Sequence, residues 1–371
     1  MAALFSAGAA AQADGVFNDA VGLRRFTVEK NTGLLAPNAS ADAVFFFKNN
    51  EYFADEVEGY TLIGYQLRPT LTWGTPRLTI TGGLQALQYG GSDKMAYVRP
   101  FFCGRWQAND WLSVHMGSLP GPASHQLHEA VQDTELQLTE KPEVGIQLGI
   151  ERPHLDGVVW LNWRQFISRG DTIPERFTAG LKLDFHPGQE GGAGASFRMP
   201  ASLVFEHIGG QVSDFEEPMQ SLANVTLSPT LVLRPDSCRF VHDVSISLNI
   251  FGFHTMAGGD VRPFTDGWAV SPEVSLRAKH LHANLAWFHG HDFFAMRGNP
   301  LYWSISDYKS DFYESNRDML TFGASYVNKI ADWARFAVDF RGYLDIPAAR
   351  LDYYYGATMV LTPAINRRHN R

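Results

Sequence analysis

Four histidines lie within the segment KHLHANLAWFHGHDFF, at positions 280, 282, 289 and 291. His289 and His291 are two residues apart, so both imidazoles would project from one face of a β-strand and could reach one metal ion. An imidazole next to a serine or an acid could instead serve as the general base of a hydrolase. The same face carries Leu281, Leu285 and Trp287, which makes it a poor place for a metal. The sequence therefore predicts no metal and no cofactor. Because no serine, cysteine or acid has a recognisable nucleophile motif around it, we expect the chain not to be an enzyme.

Charged and amide side chains recur at alternate positions of many other segments, opposite to the apolar positions. In a wide β-barrel they would face the interior and set the selectivity of a water-filled channel. The alternative is that they form salt bridges that stabilise the wall around a plug. Both signs of charge are present, so strong ion selectivity is not expected. The candidate lumen-lining residues are Arg99, Arg105, Gln147, Glu151, Lys182, Asp184, Glu273, Arg277, Lys279, Arg335, Asp339 and Arg341.

The stretch from Arg317 to Asp345 shows which elements would carry these side chains. Apolar residues occupy every second position on both sides of a polar break at residues 329–332. Side chains alternate between the two faces of a strand, so the stretch is predicted to be a hairpin with one apolar and one polar face. Nearly the whole chain from Ala41 to Leu361 repeats this pattern, with aromatic residues near the segment ends. Such a chain is predicted to close into a barrel with its apolar face in lipid.

Sixteen strands can be placed in this way, and fourteen remain possible. Short turns such as Gly74–Pro76 and Pro235–Ser237 alternate with long loops, of which Leu119–Pro142 and Asp292–Asn316 are the longest. Outer-membrane barrels have an even number of strands, short periplasmic turns and longer extracellular loops. The predicted fold class is therefore all-β, a transmembrane antiparallel β-barrel, with one of the long loops folded inward to narrow the lumen.

The composition agrees with a single membrane barrel. The chain has 371 residues, of which 45 % are hydrophobic and 19 % are charged, and its net charge of −8 argues against a nucleic-acid partner. Residues 1–13 end in Ala-Gln-Ala and are interpreted as the remnant of a signal peptide. Residues 14–40 are interpreted as a periplasmic N-terminal segment or plug, residues 41–362 as the barrel and residues 363–371 as a C-terminal tail. The two cysteines, Cys103 and Cys238, are expected to be unpaired.

Three segments, FFFKNNEYF (45–53), EGYTL (58–62) and VWLNWRQFI (159–167), carry a family resemblance. With the strand pattern, they resemble Gram-negative outer-membrane β-barrel proteins of the porin-like kind, from an uncharacterised family. The resemblance implies the fold and a location in the cell outer membrane, but no substrate. The expected partners are outer-membrane lipid and lipopolysaccharide, small polar solutes, and either an envelope protein or further copies of the chain.

Three functions are compatible with this pattern. The first is a porin-like channel that passes small polar solutes or ions through its charged lumen. The second is a non-conducting barrel that acts as a surface scaffold or as a subunit of an envelope complex. The third is a barrel enzyme that acts on lipid, which would need a serine, aspartate or glutamate within hydrogen-bond reach of His289 or His291. A soluble two-sheet β protein is the remaining alternative.

Overall fold

The structure is a computed structural model that describes residues 37–187, 194–210, 212, 214–236 and 240–363. The predicted signal remnant, most of the predicted N-terminal segment, Cys238 and the tail beyond residue 363 lie outside these ranges. Among the described residues, no helix has the length and apolarity needed to cross a membrane.

Within the described residues, one antiparallel sheet contains every strand and closes on itself, because β1 pairs with both β2 and β17. The strands are β1 (Asn38–Glu51), β2 (Thr61–Gly74), β3 (Leu78–Tyr89), β4 (Tyr97–Gln107), β5 (Leu112–Ser118), β6 (Val144–Arg152), β7 (Leu155–Gln165), β8 (Glu175–Phe185), β9 (Gly194–Gly209), β10 (Gln220–Leu227), β11 (Thr230–Arg234), β12 (Val241–Ala257), β13 (Asp266–Ala278), β14 (Leu281–His291), β15 (Asn316–Ala331), β16 (Ala334–Asp345) and β17 (Arg350–Leu361). The loops of the described ranges contain a four-residue helix, α1 (Leu136–Thr139), and three 3₁₀ turns (Pro122–Ser124, Gly259–Val261 and Pro300–Tyr302).

The seventeen segments occupy sixteen positions in the barrel. Both β10 and β11 pair with β9 on one side and with β12 on the other, so they are two parts of one strand. The interruption falls at Ser228 and Pro229, where proline has no N–H for the ladder. Pro69, Pro100 and Pro272 remain inside strands, with exposed side chains. The prediction of a sixteen-stranded transmembrane barrel is confirmed.

The outer face of the barrel is apolar. Exposed large side chains alternate with buried polar ones, as in β2, where Leu71 is 59 % exposed while Thr70 and Arg68 are buried. Trp73, Trp106 and several other indoles are exposed near strand ends, at the level where aromatic rings prefer the boundary between lipid and water. Hydrocarbon cannot hydrogen-bond to the backbone of an unpaired strand edge. Closure of the sheet pairs both edges of each strand that the structure describes.

Two long loops fold into the barrel, which we call the first inner loop (residues 119–143) and the second inner loop (residues 292–315). The first inner loop is bound to strands on opposite sides of the barrel. Lys182 in β8 donates to the Gln126 carbonyl, and Arg341 in β16 lies 3.0 Å from Glu129. The second inner loop contributes Phe293, Leu301 and Tyr302 to the main buried apolar cluster. The two loops therefore cross the lumen.

Candidate functional site

A polar cluster lies on the outer face of the barrel, at the end of β14 and β15 that the second inner loop joins. We call His291, Asp292, Ser315 and Asn316 the outer-rim cluster. His291 Nδ1 lies 2.9 Å from Asn316 Oδ1 and 3.3 Å from Ser315 Oγ, and its Nε2 lies 3.6 Å from Asp292 Oδ2. An amide oxygen only accepts, so Nδ1 carries the proton and Nε2 presents its lone pair. This arrangement suits His291 to act as a general base.

Asp292 is held in position from several directions. Ser315 Oγ and Tyr313 Oη each donate to Asp292 Oδ1 over 2.7 Å. The backbone of Asp292 has a φ of 51°, a left-handed conformation that costs free energy in a residue with a Cβ. Because the carboxylate faces His291 Nε2, one water molecule could donate to both groups. The cluster therefore offers a base and an acceptor for a single water.

A second imidazole–carboxylate pair lies two residues further along the strand, deeper in the membrane. His289 Nδ1 donates to Asp318 Oδ1 over 2.9 Å. The His289 ring stacks on Trp287 at 5.8 Å with an interplanar angle of 20°, and its centroid lies 5.5 Å from that of Trp268. Both side chains of the pair remain partly exposed on the lipid-facing side, at 27 % and 31 %. His289 and His291 thus meet the requirement for the enzyme alternative.

Another polar cluster occupies the outer face where β1 meets β2 and β17. Asn49 Nδ2 donates to Glu51 Oε1 over 2.6 Å and to Tyr355 Oη over 3.1 Å, and Thr61 Oγ1 donates to the Asn49 amide oxygen. None of the hydrogen bonds of this cluster, within the described part of the chain, involves an imidazole. It therefore lacks the base that the outer-rim cluster has.

Buried ion pairs fasten the inner loops to one another and to the wall. Arg297 of the second inner loop makes a two-pronged bond with Glu140 of the first, at 2.6 and 2.7 Å, and its Nε lies 3.7 Å from Glu206 in β9. Arg164 in β7 lies 3.0 Å from Glu140. Burial opposes ionisation of Glu140, but the charges of Arg297 and Arg164 outweigh it and lower its pKa. This network joins both loops to the barrel.

Beside that network lies a contact between a buried carboxyl group and a buried imidazole. Glu143 Oε2 is 3.3 Å from His125 Nε2, and the His125 ring stacks on Trp160 at 3.9 Å. Burial raises the pKa of Glu143 to about 8 and lowers the pKa of His125 to about 3. At neutral pH the contact is therefore between a protonated carboxyl and a neutral imidazole.

One group of carboxylates has the spacing of a metal site. The ligand oxygens of Glu56, Glu314 and Asp345 lie within 4.8 Å of one another. However, Arg317 Nη1 contacts all three carboxylates, and Arg350 Nη2 lies 3.1 Å from Glu56. The guanidinium groups supply the positive charge that a cation would bring, so the group is an ion-pair cluster at the base of the second inner loop.

The predicted lumen-lining residues lie on the inner face of the strands, apart from Lys279, which is exposed in the turn after β13. Arg99 and Glu151 are exposed, and Arg277, Arg335 and Asp339 are half-buried. The buried members are Arg105, Gln147, Lys182, Asp184, Glu273 and Arg341. Several of them bind the first inner loop or a neighbouring strand, such as Gln147 with Ser124 and Asp184 with Arg198. These contacts fit the alternative in which inner charges hold a plug. That these residues line a conducting path stays a prediction.

Four residues of the site were missed from the sequence, namely Asp292, Ser315, Asn316 and Asp318. Two of them pair directly with the predicted histidines, because Asn316 lies opposite His291 and Asp318 lies opposite His289 in the β14–β15 ladder. A polar residue among the outward-facing, otherwise apolar positions of β15 is the sequence feature that could have identified them. Asp318 has that feature within the predicted hairpin.

These features define an outer-membrane β-barrel with an imidazole–carboxylate cluster at the rim of its lipid-facing surface. Solved structures that it resembles include OccAB3 of Acinetobacter baumannii (TM-score 0.51, 10 % identity, covering 90 % of this chain and all of that one) and two proteins of Pseudomonas aeruginosa. These are the outer membrane protein OprD (0.51, 9 %, 89 % and 95 %) and OpdL (0.51, 12 %, 90 % and 100 %). At such identities the likeness shows the fold alone. No curated protein matches the chain.

The chain belongs to the family of lipid A 3'-O-deacylase-type proteins, whose model matches residues 36–367. The match spans the whole barrel. The family is named for an enzyme activity, so the expectation that the chain is not an enzyme is wrong. That expectation rested on the lack of a local nucleophile motif, whereas the outer-rim cluster is assembled from two strands and the two ends of a long loop.

Proposed function

We propose that the protein hydrolyses an acyl ester of an outer-leaflet lipid of the lipid A type, using the outer-rim cluster. The observation that carries the proposal is the set of contacts of His291, whose Nδ1–H is fixed by Asn316 while Nε2 faces Asp292 at 3.6 Å. A neutral imidazole with one nitrogen anchored is the usual form of a general base. The family name supports ester cleavage on lipid A.

The position of the cluster also supports a lipid substrate. His291 is 43 % exposed on the outer face, and its ring centroid lies 6.2 Å from that of Trp268, an indole at the membrane boundary. The ester bonds of a lipid lie at this boundary, between the headgroup in water and the acyl chains in hydrocarbon. The substrate could therefore reach the cluster by moving sideways within the outer leaflet.

In the proposed reaction, His291 Nε2 removes a proton from a water molecule that Asp292 helps to hold. The water oxygen forms a bond with the ester carbonyl carbon, and the bond from that carbon to the alkyl oxygen breaks. The imidazolium returns its proton to the departing oxygen. The products are a free fatty acid and a lipid with a new hydroxyl group. Ser315 supports the reaction by donating to Asp292, which keeps the carboxylate aimed at the water.

The test compares refolded wild-type protein with His291→Ala in vesicles that contain lipid A, with released fatty acid measured by mass spectrometry. Removal of a general base lowers the rate by about 10²–10⁴-fold. The matched control is His254→Ala, because His254 is also exposed on the outer rim and bonded to an aspartate, Asp266, at 2.6 Å. We expect that control to stay within about twofold of the wild-type rate, since surface changes away from the site have small effects.

The polar cluster around Asn49 is the alternative site for the reaction, and its variants give the result that would contradict the proposal. If Thr61→Val abolishes fatty-acid release while His291→Ala retains it, the reaction takes place at the β1–β2 cluster and the proposal is wrong. Every variant is first checked for a folded barrel by its heat-dependent migration in a gel.

Passage of small polar solutes is a second candidate function. It is supported by the inner charged residues that remain exposed, Arg99 and Glu151. The two inner loops argue against it, because they cross the lumen and ion pairs hold them there. Single-channel recording in a planar bilayer tests it: stable stepwise conductance of the folded wild type would support the channel, and a silent barrel would leave the scaffold and enzyme alternatives.

A further inference from the structure

We propose that the lumen contains a binding site for a small uncharged polyol. The site is a cavity between the first inner loop and the inner face of β1 and β14–β17, towards the end of the barrel opposite the outer-rim cluster. Its volume is about 60 Å³. A water molecule takes about 10–15 Å³ of such space, so the cavity has room for about four to six water-sized groups, the size of glycerol. The site is independent of the proposed hydrolysis, which takes place on the outer face.

The cavity reaches into the wall at a glycine of the ladder. Gly323 in β15 lies opposite Asn284 in β14 and opposite Arg341 in β16, and all three line the cavity. A Cβ at Gly323 would lie 2.6 Å from Asn284 Oδ1 and 3.8 Å from Arg341 Cγ. A glycine inside a strand often marks a position where a ligand comes close to the backbone. The missing side chain therefore leaves a notch between two polar side chains.

Two polar groups that line this cavity have no hydrogen-bond partner within the described ranges of the chain. Asn284 is 8 % exposed, and its Nδ2 is buried without an acceptor. His282, the preceding inward-facing residue of β14, has a buried Nδ1 without a partner. Burial of such groups is unfavourable unless they are hydrogen-bonded. One ligand hydroxyl can accept from the Asn284 amide, and another can bond to the His282 nitrogen in either tautomer.

The charges around the cavity favour an uncharged ligand. Lys48 Nζ lies 2.9 Å from Glu135 Oε2. Arg341 Nη1 lies 3.0 Å from Glu129 Oε2, so each cation already has a carboxylate next to it. Asp339 adds a carboxylate to the same wall, where it would repel an anion, while the Arg341 guanidinium would repel a cation. A hydroxyl group both donates and accepts, so a polyol suits both kinds of side chain.

The experiment measures glycerol binding to the full chain, refolded in deuterated detergent micelles, by saturation-transfer difference NMR. Lactate and alanine are molecules of similar size that serve as the anionic and zwitterionic comparisons. We expect a saturable signal for glycerol with a Kd of the order of 1 mM, since a small ligand forms only a few hydrogen bonds. Lactate and alanine should bind roughly tenfold or more weakly, because their charges would be buried without compensation.

Two variants test the position of the ligand. Gly323→Ala should abolish saturable binding, because the new Cβ fills the notch and displaces the Asn284 amide. The matched control is Gly82→Ala in β3, where the nearest contact of the new Cβ would be Phe102, at 3.9 Å, and binding should stay at the wild-type level. Asn284→Asp keeps the size of the side chain but replaces its donor with an acceptor, so glycerol should bind about tenfold more weakly.

An absence of saturable glycerol binding to the folded wild type would overturn the proposal. Tighter binding of lactate or alanine than of glycerol would overturn the assignment of an uncharged ligand. Unchanged glycerol binding in both Gly323→Ala and Asn284→Asp would mean that glycerol binds elsewhere, and the proposal would be wrong. The heat-dependent migration of each variant in a gel first shows whether its barrel is folded. If Gly323→Ala does not fold, the result for Asn284→Asp decides.

Discussion

Replacing Arg297 with methionine should release the inner loops from the lumen without unfolding the barrel. The Arg297 side chain is 4 % exposed and makes the two short bonds with Glu140 that join the second inner loop to the first. Methionine retains much of the apolar stem but none of the charge. The variant therefore leaves Glu140 and Glu206 facing each other in a buried site.

The size of the destabilisation follows from the charges that remain in that site. Removing one partner of a buried ion pair costs about 3–5 kcal/mol, because the other charge stays buried without compensation. Arg164 still lies 3.0 Å from Glu140 and 3.6 Å from Glu206, so the lower end, about 3 kcal/mol, is expected. Each 1.4 kcal/mol is a factor of ten. The population of conformers with a displaced first inner loop should rise by roughly 10²-fold.

Hydrogen exchange measured by mass spectrometry reports this population directly. In the wild type, backbone amides of the first inner loop such as Val131 and Leu138 are hydrogen-bonded within the loop, so their exchange requires opening. The matched control is Lys329→Met, which removes an ion pair with Asp332 whose side chains are 56 % and 72 % exposed. Exposed pairs contribute about 0–1 kcal/mol, and loop exchange should stay near the wild-type rate.

Two outcomes would refute this reasoning. Unchanged loop exchange in a folded Arg297→Met barrel would mean that the buried ion pairs do not hold the loop. Equal acceleration in the barrel strands would mean that loops and wall open together. If the loop opens as expected, single-channel recording of the same variant also shows whether the lumen beneath it conducts.

Further predictions concern the packing inside the barrel. Burial raises the pKa of Glu143 to about 8, so the protonated carboxyl stabilises the loop fully below its ordinary pKa, and this stabilisation is lost as the pH rises to about 8. Hydrogen exchange of the loop, corrected for the intrinsic exchange rate, should therefore increase between pH 7 and 8. The same increase should be absent in Glu143→Gln. Gly180→Ala should destabilise the barrel by about 1–3 kcal/mol in a denaturant titration, because the new Cβ would lie 2.1 Å from the Trp160 ring; an unchanged midpoint with unchanged tryptophan fluorescence would contradict the packing. In a Cys238→Ser background, the fully buried Cys103 should react with a maleimide only after unfolding, and rapid labelling of the folded barrel would show that its surroundings are open.

The strands were predictable because the barrel wall imposes a simple rule on the sequence. Lipid lies outside and polar groups lie inside, so apolar and polar side chains must alternate along each strand. The predicted hairpin from Arg317 to Asp345 is formed by β15 and β16. The same rule placed the predicted charged residues other than Lys279 on inner faces. Trp160 and Trp163 are an odd number of residues apart in β7 and lie on opposite sides of it, so Trp160 is buried and Trp163 is exposed.

The site was less predictable because it depends on register across a long connection. In a hairpin with a tight turn, the turn sets which residues lie opposite each other. The second inner loop separates β14 from β15, so neither the pairing of His291 with Asn316 nor the return of Ser315 to its side could be read from spacing. The contacts of the first inner loop, such as Glu129 with Arg341, join residues far apart in the chain and follow no periodic pattern.

The second inner loop connects the interior of the barrel with the outer-rim cluster. It begins at Asp292 in the outer-rim cluster, enters the lumen as far as Arg297 and Tyr302, and returns at Ser315, whose carbonyl accepts from the Asp292 N–H at 2.8 Å. The segment that occupies the lumen thus also holds the carboxylate in place on the lipid side. A conformer with an emptied lumen would lose that hold, so the proposed hydrolysis should be lost in any conformer that leaks. Any change that loosens the interior should be visible first as a loss of activity on the outside.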